Sequence, residues 1–431
     1  MTPTIPLSAA ARRTGEPSIS VLMQRALAEP RLISLAAGFV DQASLPVAAA
    51  STTIADLLAD PIEARRALQY GTTRGDLLFR SRLVDRLERE EHAEPGAFAA
   101  ILPRVVVTTG SQQLLYLVAE ALLDPGDIVI VEEPTYFVFL GLLATRGAVA
   151  VGVPTDAGGL RLDALEATLR DLEASGRLDR VKLIYTISEH GNPSGLSLAP
   201  GRRGALVALA EEYSKQQQIF ILEDAAYRGL TFSGDEPASV WGRDEAGRTV
   251  ILARTFSKTF SPGVKTGFGV LPEGLVGPVL ALKTNHDFGS SHFHQQFLDR
   301  AMADGAYDRQ IARLVAVYRR KRDVVLGALD EHLGPLEREG SVSWTRPNGG
   351  IYVWLTLPEG LDAGPDGPLF DRCVERGVLY VPGAYAFPAE GAARGRSNHI
   401  RLCYGAPGEA ELAEGVARLA AALADCLDPV A

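Results

Sequence analysis

Residues 249–272 read TVILARTFSKTFSPGVKTGFGVLP, in which two apolar, strand-like runs flank a turn rich in serine and threonine. The turn holds Lys258 and Lys265, two of only six lysines among 43 basic residues, of which the other 37 are arginines. Since arginine is the usual cation of this chain, a lysine in a tight polar turn suggests a chemical role. Only lysine offers a primary amine that loses its proton and condenses with an aldehyde.

The overall composition is that of an ordinary globular chain. With 431 residues, 46% of them hydrophobic and 22% charged, the chain is expected to form two domains or lobes. A formal charge of −10 argues against a nucleic-acid partner, because a surface that binds phosphates is basic. The three cysteines form no CxxC or disulfide pattern, and no apolar run reaches the roughly 18 residues of a membrane span. We therefore predict a cytoplasmic protein with no membrane partner and no metal site.

A repeated order of strand, turn and helix runs through the middle of the chain. The strand-like runs are VVVTT (105–109), IVIVEEP (128–134), AVAVGVP (148–154), VKLIYTI (181–187) and IFILEDAAY (219–227). Such alternation predicts an α/β fold in which a mostly parallel sheet carries helices on both faces. We expect a large domain over residues 51–310 and a smaller α+β domain over residues 311–431, which the N-terminal segment 1–50 joins.

Nearly every strand-like run ends in a polar cluster. These clusters are Gly110-Ser111-Gln112, Pro134-Thr135-Tyr136, Asn192-Pro193-Ser194-Gly195, Asp224 with Tyr227, and Ser257-Lys258 with Lys265. In an open α/β sheet the site forms at the strand ends. Taken singly, each cluster is more often a helix start, a turn or a cap. Together they supply an amine, a carboxylate, a phenol, an amide and an anion pocket, which is the set of groups that holds pyridoxal phosphate.

That cofactor assigns a role to each group. Lys258 would form the Schiff base and move the Cα proton. Asp224 would pair with the pyridine nitrogen and keep it protonated. Asn192 and Tyr227 would hydrogen-bond the phenolic oxygen of the ring, and Tyr136 would stack on its face.

The phosphate is expected at the start of a helix, where backbone N–H groups and the helix dipole favour an anion. The residues predicted to bind it are Gly110, Ser111, Gln112, Thr255, Ser257 and Lys265.

The ordered motifs GNPSG (191–195), EDAAY (223–227), TFSKTFSPG (255–263) and HIRLCYG (399–405) resemble those of the class I/II aminotransferases of the fold type I pyridoxal-phosphate enzymes. The likeness covers roughly residues 20 to 425 and is greatest to the 2-aminoadipate-type branch. It implies a large domain with a mostly parallel sheet of the seven-stranded type, flanked by helices, and a smaller α+β domain. It also implies transfer of an α-amino group from an amino acid to a 2-oxoacid, through an internal aldimine on Lys258 and a quinonoid intermediate.

The resemblance implies further site residues and a partner. Tyr70, in the segment QYGTTRG (69–75), would reach the phosphate of a neighbouring subunit, so a homodimer with shared active sites is expected. Ser290 or Ser291 would also approach that phosphate across the interface. Arg401 would bind the substrate α-carboxylate, with a backbone contribution from Gly38.

The chain also departs from the family pattern. Lys265 stands where the family usually has arginine. An ammonium group lacks the two parallel donors with which a guanidinium binds phosphate. Ser188-Glu189-His190-Gly191 replaces the usual P-x-x-Q before Asn192. We therefore consider His190 as a substrate-binding residue, and His286, with His292 and His294 nearby, as a possible source of acid–base chemistry.

Two alternatives to transamination stay open at this point. The same scaffold carries out β- or γ-elimination, replacement or carbon–carbon bond formation in related families, in some cases on S-adenosylmethionine. A protein that keeps the fold only to bind a ligand is the other alternative. The joint presence of Lys258, Asp224, Tyr227 and Asn192 argues against it.

Overall fold

A computed structural model describes residues 5–15, 22, 29, 31–391 and 397–427. In chain order its strands are β1 (Ile33–Ser34), β2 (Val105–Thr108), β3 (Ile128–Glu133), β4 (Val149–Asp156), β5 (Gly159–Leu160), β6 (Val181–Thr186), β7 (Phe220–Asp224), β8 (Val250–Thr255), β9 (Gly267–Val270), β10 (Ser343–Trp344), β11 (Tyr352–Thr356), β12 (Val378–Leu379), β13 (Val381–Pro382) and β14 (His399–Cys403).

The α-helices of the described residues alternate with these strands through the middle of the chain. They are α1 (Ala9–Arg13), α2 (Val47–Ala59), α3 (Pro61–Leu68), α4 (Leu77–Glu90), α5 (Gly110–Leu122), α6 (Phe137–Arg146), α7 (Leu162–Ala174), α8 (Pro200–Tyr213), α9 (Glu273–Asp287), α10 (His292–Ala303), α11 (Ala306–Arg338), α12 (Pro368–Glu375) and α13 (Glu409–Leu427). None of these helices is long and apolar enough to cross a bilayer.

The central sheet has the strand order β2-β9-β8-β7-β6-β3-β4-β5. The strands from β8 to β4 in this order pair in parallel, whereas β9 is antiparallel to both β2 and β8. The predicted mostly parallel sheet is confirmed. The two-residue strand β5 adds an eighth, antiparallel member at the edge.

Two hydrophobic clusters cover the two faces of the sheet, because successive side chains of a strand point to opposite faces. In β2, Val106 belongs to one cluster, whereas Val105 and Val107 belong to the other. Both faces are covered, so β2, β3 and β7 are nearly continuous apolar runs. Each fully buried valine or leucine contributes about 1.5–3 kcal/mol to the stability of this layered core.

The C-terminal part of the chain forms a second, antiparallel sheet in the order β10-β11-β14-β13. Strand β1 pairs in parallel with β12, whereas α1 contacts α6 through a hydrogen bond from Arg13 Nε to the carbonyl oxygen of Thr145. The predicted domain limits at residues 50 and 310 lie within the first turns of α2 and α11 respectively. These domain limits stay a prediction.

The fold gathers several strand ends of the large sheet at one edge, beside strand β14 of the small sheet. The carboxyl ends of β6, β7 and β8 point toward the start of α5, which lies against β9. Gly267 of β9 allows this close approach: a Cβ there would lie 2.7 Å from the backbone of both Gly110 and Ser111. The polar residues that follow these strands are therefore gathered around one cavity.

Candidate active site

A cavity of about 460 Å³ lies at this edge of the sheet. Tyr70, His190, Ser290 and Ser291 do not line it, and the other predicted site residues do: Gly38, Gly110, Ser111, Gln112, Tyr136, Asn192, Asp224, Tyr227, Thr255, Ser257, Lys258, Lys265 and Arg401. They come from the N-terminal segment, five strand-end loops of the large sheet and strand β14 of the small sheet.

Lys258 points its amine into this cavity from the turn that follows β8. Its Nζ donates a hydrogen bond to the carbonyl oxygen of Gly38 at 2.7 Å. Burial lowers the pKa of Lys258 to about 8, and the positive charges of Arg401 and Lys265 act in the same direction. A substantial fraction of this amine is therefore neutral near pH 8, as condensation with an aldehyde requires.

Asp224 ends strand β7 with its side chain buried. Its Oδ2 accepts a hydrogen bond from the hydroxyl of Tyr185 at 2.9 Å, whereas Oδ1 is buried without a hydrogen-bond partner among the described residues. Burial raises the pKa of Asp224 to about 6. A buried carboxylate oxygen without a partner is costly unless a ligand supplies a donor. The protonated ring nitrogen of pyridoxal phosphate is such a donor.

Arg401 connects the small sheet to the large one. Its Nη1 donates to Oδ1 of Asn192 at 2.8 Å and its Nη2 to the carbonyl oxygen of Ala36 at 2.7 Å. The guanidinium lies over the Tyr352 ring, 4.4 Å from its centre. Its Nε is buried without a hydrogen-bond partner among the described residues, which leaves a donor for a carboxylate.

Two phenols border the same space. The Tyr227 hydroxyl donates a hydrogen bond to the Tyr352 hydroxyl at 3.2 Å. Burial raises the pKa of both Tyr136 and Tyr227, so both hydroxyls keep their protons at neutral pH. Both phenols therefore remain hydrogen-bond donors.

The opposite end of the cavity has the features of an anion site. Helix α5 begins at Gly110, which has a φ of 74°, and its first residues, whose N–H groups have no partner within the helix, line the cavity. Thr255 and Ser257 hydrogen-bond each other through their hydroxyls at 3.1 Å. Lys265, with a φ of 44°, adds a positive charge to the same lining.

These residues fit pyridoxal phosphate at three separate points: an amine for the aldehyde, a carboxylate oxygen that lacks a donor, and a helix start for the phosphate. Fold and site together define a fold type I pyridoxal-phosphate transferase.

Comparison with known proteins defines the family. The family model for aminotransferase class I and II matches residues 30–419. The chain is 34% identical over 393 residues to aromatic-amino-acid aminotransferase 1 of Thermococcus litoralis, which covers 90% of this chain and 87% of that protein. It is 32% identical over 398 residues to the 2-aminoadipate transaminase of Thermus thermophilus, covering 91% and 90%. The kynurenine aminotransferase of Pyrococcus horikoshii, crystallised with pyridoxamine phosphate (PMP), superposes with a TM-score of 0.88 at 30% identity and covers 98% of both chains.

The chain therefore belongs to the class I and II aminotransferases. It depends on pyridoxal phosphate and transfers the α-amino group of an amino acid to a 2-oxoacid. Elimination, replacement and carbon–carbon bond formation are not favoured, because these relatives are named for transamination.

His190 is the predicted site residue that the fold turns away from the cavity. Its ring Nε2 hydrogen-bonds the Thr231 hydroxyl at 2.8 Å, and the ring packs against Gly349. Burial lowers the pKa of His190 to about 4, so the imidazole is neutral at physiological pH. The prediction that His190 binds substrate disagrees with this geometry. The backbone of His190 is left-handed, with a φ of 48°.

The other histidines considered from the sequence also lie outside the lining of the cavity. His286 hydrogen-bonds the Gln113 amide at 3.0 Å and stacks on the Tyr116 ring. His292 contacts the carbonyl oxygen of Gln69 at 3.2 Å. The backbone N–H of His294 bonds the Ser291 hydroxyl.

Two residues expected to serve a neighbouring subunit have different surroundings. Tyr70 is 82% exposed and packs edge-to-face on Phe288, with 6.0 Å between the ring centres. Ser290 instead hydrogen-bonds the Thr109 hydroxyl of its own chain at 3.3 Å, beside the start of α5. The approach of Ser290 or Ser291 to the phosphate of a neighbouring subunit stays a prediction.

Sequence reasoning missed two tyrosines of the site. Tyr185 holds Asp224 and stacks on Phe139, with 4.0 Å between the ring centres. Tyr352 of β11 supports both Tyr227 and Arg401. Alternation along VKLIYTI indicates which face Tyr185 takes, because it shares the face of Leu183. No comparable local signal identifies Tyr352, which arrives from the other sheet.

Proposed function

We propose that this aminotransferase takes amino acids with large apolar or aromatic side chains as its amino donors. A second cavity, of about 730 Å³, carries the proposal. It shares Gln112, Phe137 and Val138 with the cofactor cavity, so a substrate held at the cofactor has this space beside it.

The lining of the second cavity is mostly aliphatic and aromatic, with Leu140, Leu143, Tyr385 and Phe387 among its members. Among the described residues that line it, none is basic. A carboxylate side chain buried there would lose its hydration without gaining an ion pair, which is unfavourable. An aromatic ring would gain about 25 cal/mol for each Å² of apolar surface that it buries. The name of the Thermococcus relative supports the same substrate class.

The α-carboxylate is assigned to Arg401. The hydrogen bonds to Asn192 and Ala36 orient the guanidinium, while Nε remains available to an anion. An arginine that is already oriented loses little side-chain entropy on binding. We assign it the role of holding the substrate Cα beside Lys258.

Lys258 is assigned the movement of the Cα proton. When bound, pyridoxal phosphate supplies the electron sink that makes this proton acidic. The lowered pKa of Lys258 makes the amine a base near neutral pH, and Asp224 is assigned the role of accepting the ring N–H above its pKa of about 6. Tyr136 lines the cavity, and we assign its phenol ring the role of excluding water.

The active unit is proposed to be a homodimer in the cytoplasm. Large apolar side chains are exposed on α2, α3 and α4 and in the loops next to them or after α9: Val47, Ile62, Leu68, Tyr70, Leu77, Leu78 and Phe288. Exposed apolar groups of this number are typical of a protein interface. The three cysteines are free, in keeping with a reducing compartment.

The substrate class is tested in the half-reaction, without a 2-oxoacid acceptor. The holoenzyme is mixed with phenylalanine, leucine, alanine or aspartate, and the loss of the visible cofactor band is followed. Phenylalanine is expected to react at least about tenfold more efficiently than aspartate, measured as the second-order rate constant. Equal reactivity of aspartate would contradict the substrate class, whereas no loss of the band with any amino acid would contradict transamination itself.

Leu140→Arg provides a matched variant, because it places a cation in the second cavity. The variant is expected to lower the ratio of the second-order rate constants for phenylalanine and aspartate. An unchanged preference would show that the substrate side chain does not occupy this cavity.

A further inference from the structure

A buried network of charged side chains lies behind the cofactor cavity. Its centre is Glu189, with Arg203 and Arg228, each no more than 2% exposed. Buried charges are costly unless they are paired, and an apolar cluster of the same volume is often as stable. The presence of this network in the core therefore calls for a role other than simple stability.

Glu189 is fully engaged by its neighbours. Its Oε1 accepts hydrogen bonds from Arg203 Nη1 at 2.7 Å and from Arg228 Nη1 at 2.8 Å, and its Oε2 accepts one from the Ser188 hydroxyl at 2.6 Å. Although burial raises the pKa of Glu189, the charges of Arg228 and Arg203 bring it below its ordinary value. The carboxylate is therefore ionised.

Arg228 extends the network toward helix α4. Its Nη2 donates to the carbonyl oxygen of Glu90 at 3.0 Å and lies 3.2 Å from Glu91 Oε1. Glu90 in turn accepts from Arg254 Nη1 at 2.6 Å. One chain of charge-assisted hydrogen bonds thus joins Glu189 to strand β8, through residues that lie far apart in sequence.

A further branch ends beside Lys258. Arg86 Nε donates to Glu90 Oε1 at 2.6 Å, and its guanidinium lies 4.5 Å from the centre of the Tyr307 ring. The Tyr307 hydroxyl is 2.8 Å from the hydroxyl of Thr259, the residue after Lys258.

The members of the network are neighbours in sequence of the residues that line the cofactor cavity. Glu189 belongs to the loop of Asn192, Arg228 follows Tyr227, and Arg254 precedes Thr255. Glu189 and Arg228 lie beyond Thr186 and Glu223, the last residues at which β6 and β7 pair with each other, so the strand ladder does not extend to these two segments. Charged hydrogen bonds from a rigid guanidinium connect them instead.

We propose that Glu189 and Arg228 are positioning residues, whose ion pair fixes the Asn192 loop against the Tyr227 turn and so sets the two polar groups that face the cofactor ring oxygen. This inference rests on the proposed roles of Asn192 and Tyr227. It also accounts for Glu189 in the segment that departs from the family pattern.

Glu189→Gln tests the proposal, because it keeps the shape of the side chain and removes its charge. Three quantities are measured: the melting temperature of the apoprotein, the dissociation constant of pyridoxal phosphate, and the pH midpoint of the visible band of the bound cofactor. Glu189→Gln is expected to shift that midpoint by about half a pH unit or more and to weaken cofactor binding about tenfold. Arg228→Lys keeps the charge but loses the forked geometry, and the same shifts are expected.

Asp244→Asn is the matched control. Asp244 is a buried carboxylate in the loop before β8 that accepts the backbone N–H groups of Thr249 and Val250 at 2.8 Å, at the opposite end of β8 from the cofactor cavity. The control is expected to lower the melting temperature but to leave the midpoint of the visible band where it is in the wild type.

Identical behaviour of Glu189→Gln and Asp244→Asn would overturn the proposal, because it would show a purely structural role for Glu189. If Glu189→Gln yields no folded protein, Glu189→Asp takes its place, since it keeps the charge but shortens the reach; an unchanged midpoint in that variant also overturns the proposal.

Tyr227→Phe separates this failure from failure of the assigned site roles. If Tyr227→Phe leaves the midpoint unchanged, the assigned role of Tyr227 is wrong; if it shifts the midpoint and the Glu189 variants do not, only the positioning role is wrong.

Discussion

Arg401 donates a hydrogen bond to the side-chain oxygen of Asn192 at 2.8 Å, although 209 residues separate the two along the chain. The bond joins β14 of the small sheet to the loop that follows β6 of the large sheet. A second bond from Arg401 to Ala36 adds the N-terminal segment. One guanidinium therefore links three parts of the chain at the place where the substrate carboxylate is expected.

Arg401→Lys is predicted to raise KM for the amino donor about 10–100-fold, because lysine retains a charge but lacks the fork that binds Asn192 and a carboxylate together. The visible cofactor band should persist. Steady-state kinetics with phenylalanine measures the change, and an unaltered KM would argue against the assigned carboxylate site.

Lys258→Ala is predicted to abolish covalent attachment of the cofactor and to lower kcat about a thousandfold or more, since both the amine and the proton acceptor are lost. Borohydride reduction followed by peptide mass analysis checks the attachment. The control is Lys283→Met, because Lys283 is a buried lysine paired with Asp287 rather than a member of the cavity lining. Cofactor attached to a peptide other than that of Lys258 would refute the assignment.

Cofactor affinity is predicted to fall as the pH falls through about 6. Burial raises the pKa of Asp224 to about 6 in the apoprotein, so the carboxylate that must accept the ring N–H is present above this pH and is lost below it. The dissociation constant should rise about tenfold for each pH unit below 6. Titration of the apoprotein with pyridoxal phosphate from pH 5 to 8 measures this trend.

Asp224→Asn separates the contribution of this carboxylate from the titration of the cofactor itself. The variant should bind pyridoxal phosphate weakly at every pH, with a smaller pH dependence than the wild type. If the two proteins show the same slope, the pH effect does not originate at Asp224.

Lys265→Arg is predicted to strengthen cofactor binding severalfold, about 1 kcal/mol or less, because a guanidinium offers two parallel donors to phosphate where an ammonium offers a point charge. Position 265 has a left-handed backbone, with a φ of 44°, which both residues tolerate equally poorly. Lys265→Met is the opposite control and should weaken binding. Unchanged affinity in both variants would place the phosphate away from residue 265.

Gly349→Ala is predicted to destabilise the protein by about 1–3 kcal/mol, because a Cβ at this position would overlap the His190 ring. His190 has little freedom to move, since it is buried and bonded to Thr231. Thermal unfolding measures the effect, with Gly340→Ala, which meets no neighbouring atom but has a positive φ, as a comparison. Introduction of a smaller residue, His190→Ser, into Gly349→Ala should restore part of the loss; no recovery would show that the ring is not the obstacle.

Much of the cofactor cavity is predictable from the sequence, for a local reason. A buried parallel strand is apolar, and the chain must become polar where it leaves the sheet, so Asp224, Asn192 and Lys258 stand out immediately after the strand-like runs. The parallel order then places these ends at one edge. Arg401 was identified differently, through the resemblance of HIRLCYG (399–405) to a family motif.

The surroundings of His190 and Tyr352 show where local patterns end. Polar residues beside a predicted site include both those that face the ligand and those that face the core, and the sequence does not separate them. The His190 ring packs against Gly349, and Glu189 joins Arg203 and Arg228 in the core. These directions depend on packing between segments that are distant in sequence.

The sequence by itself therefore determined the α/β fold, the cofactor and most polar side chains that line its cavity, because strand ends and the chemistry of lysine and aspartate are local properties, whereas Arg401 was found through its resemblance to a family motif. Only the tertiary structure decided which polar neighbours support that cavity: Tyr185 holds Asp224, Tyr352 supports Arg401, and Glu189 pairs with Arg228. Buried polar groups must find partners in the core, and which partners they find is settled by the packing of the whole chain.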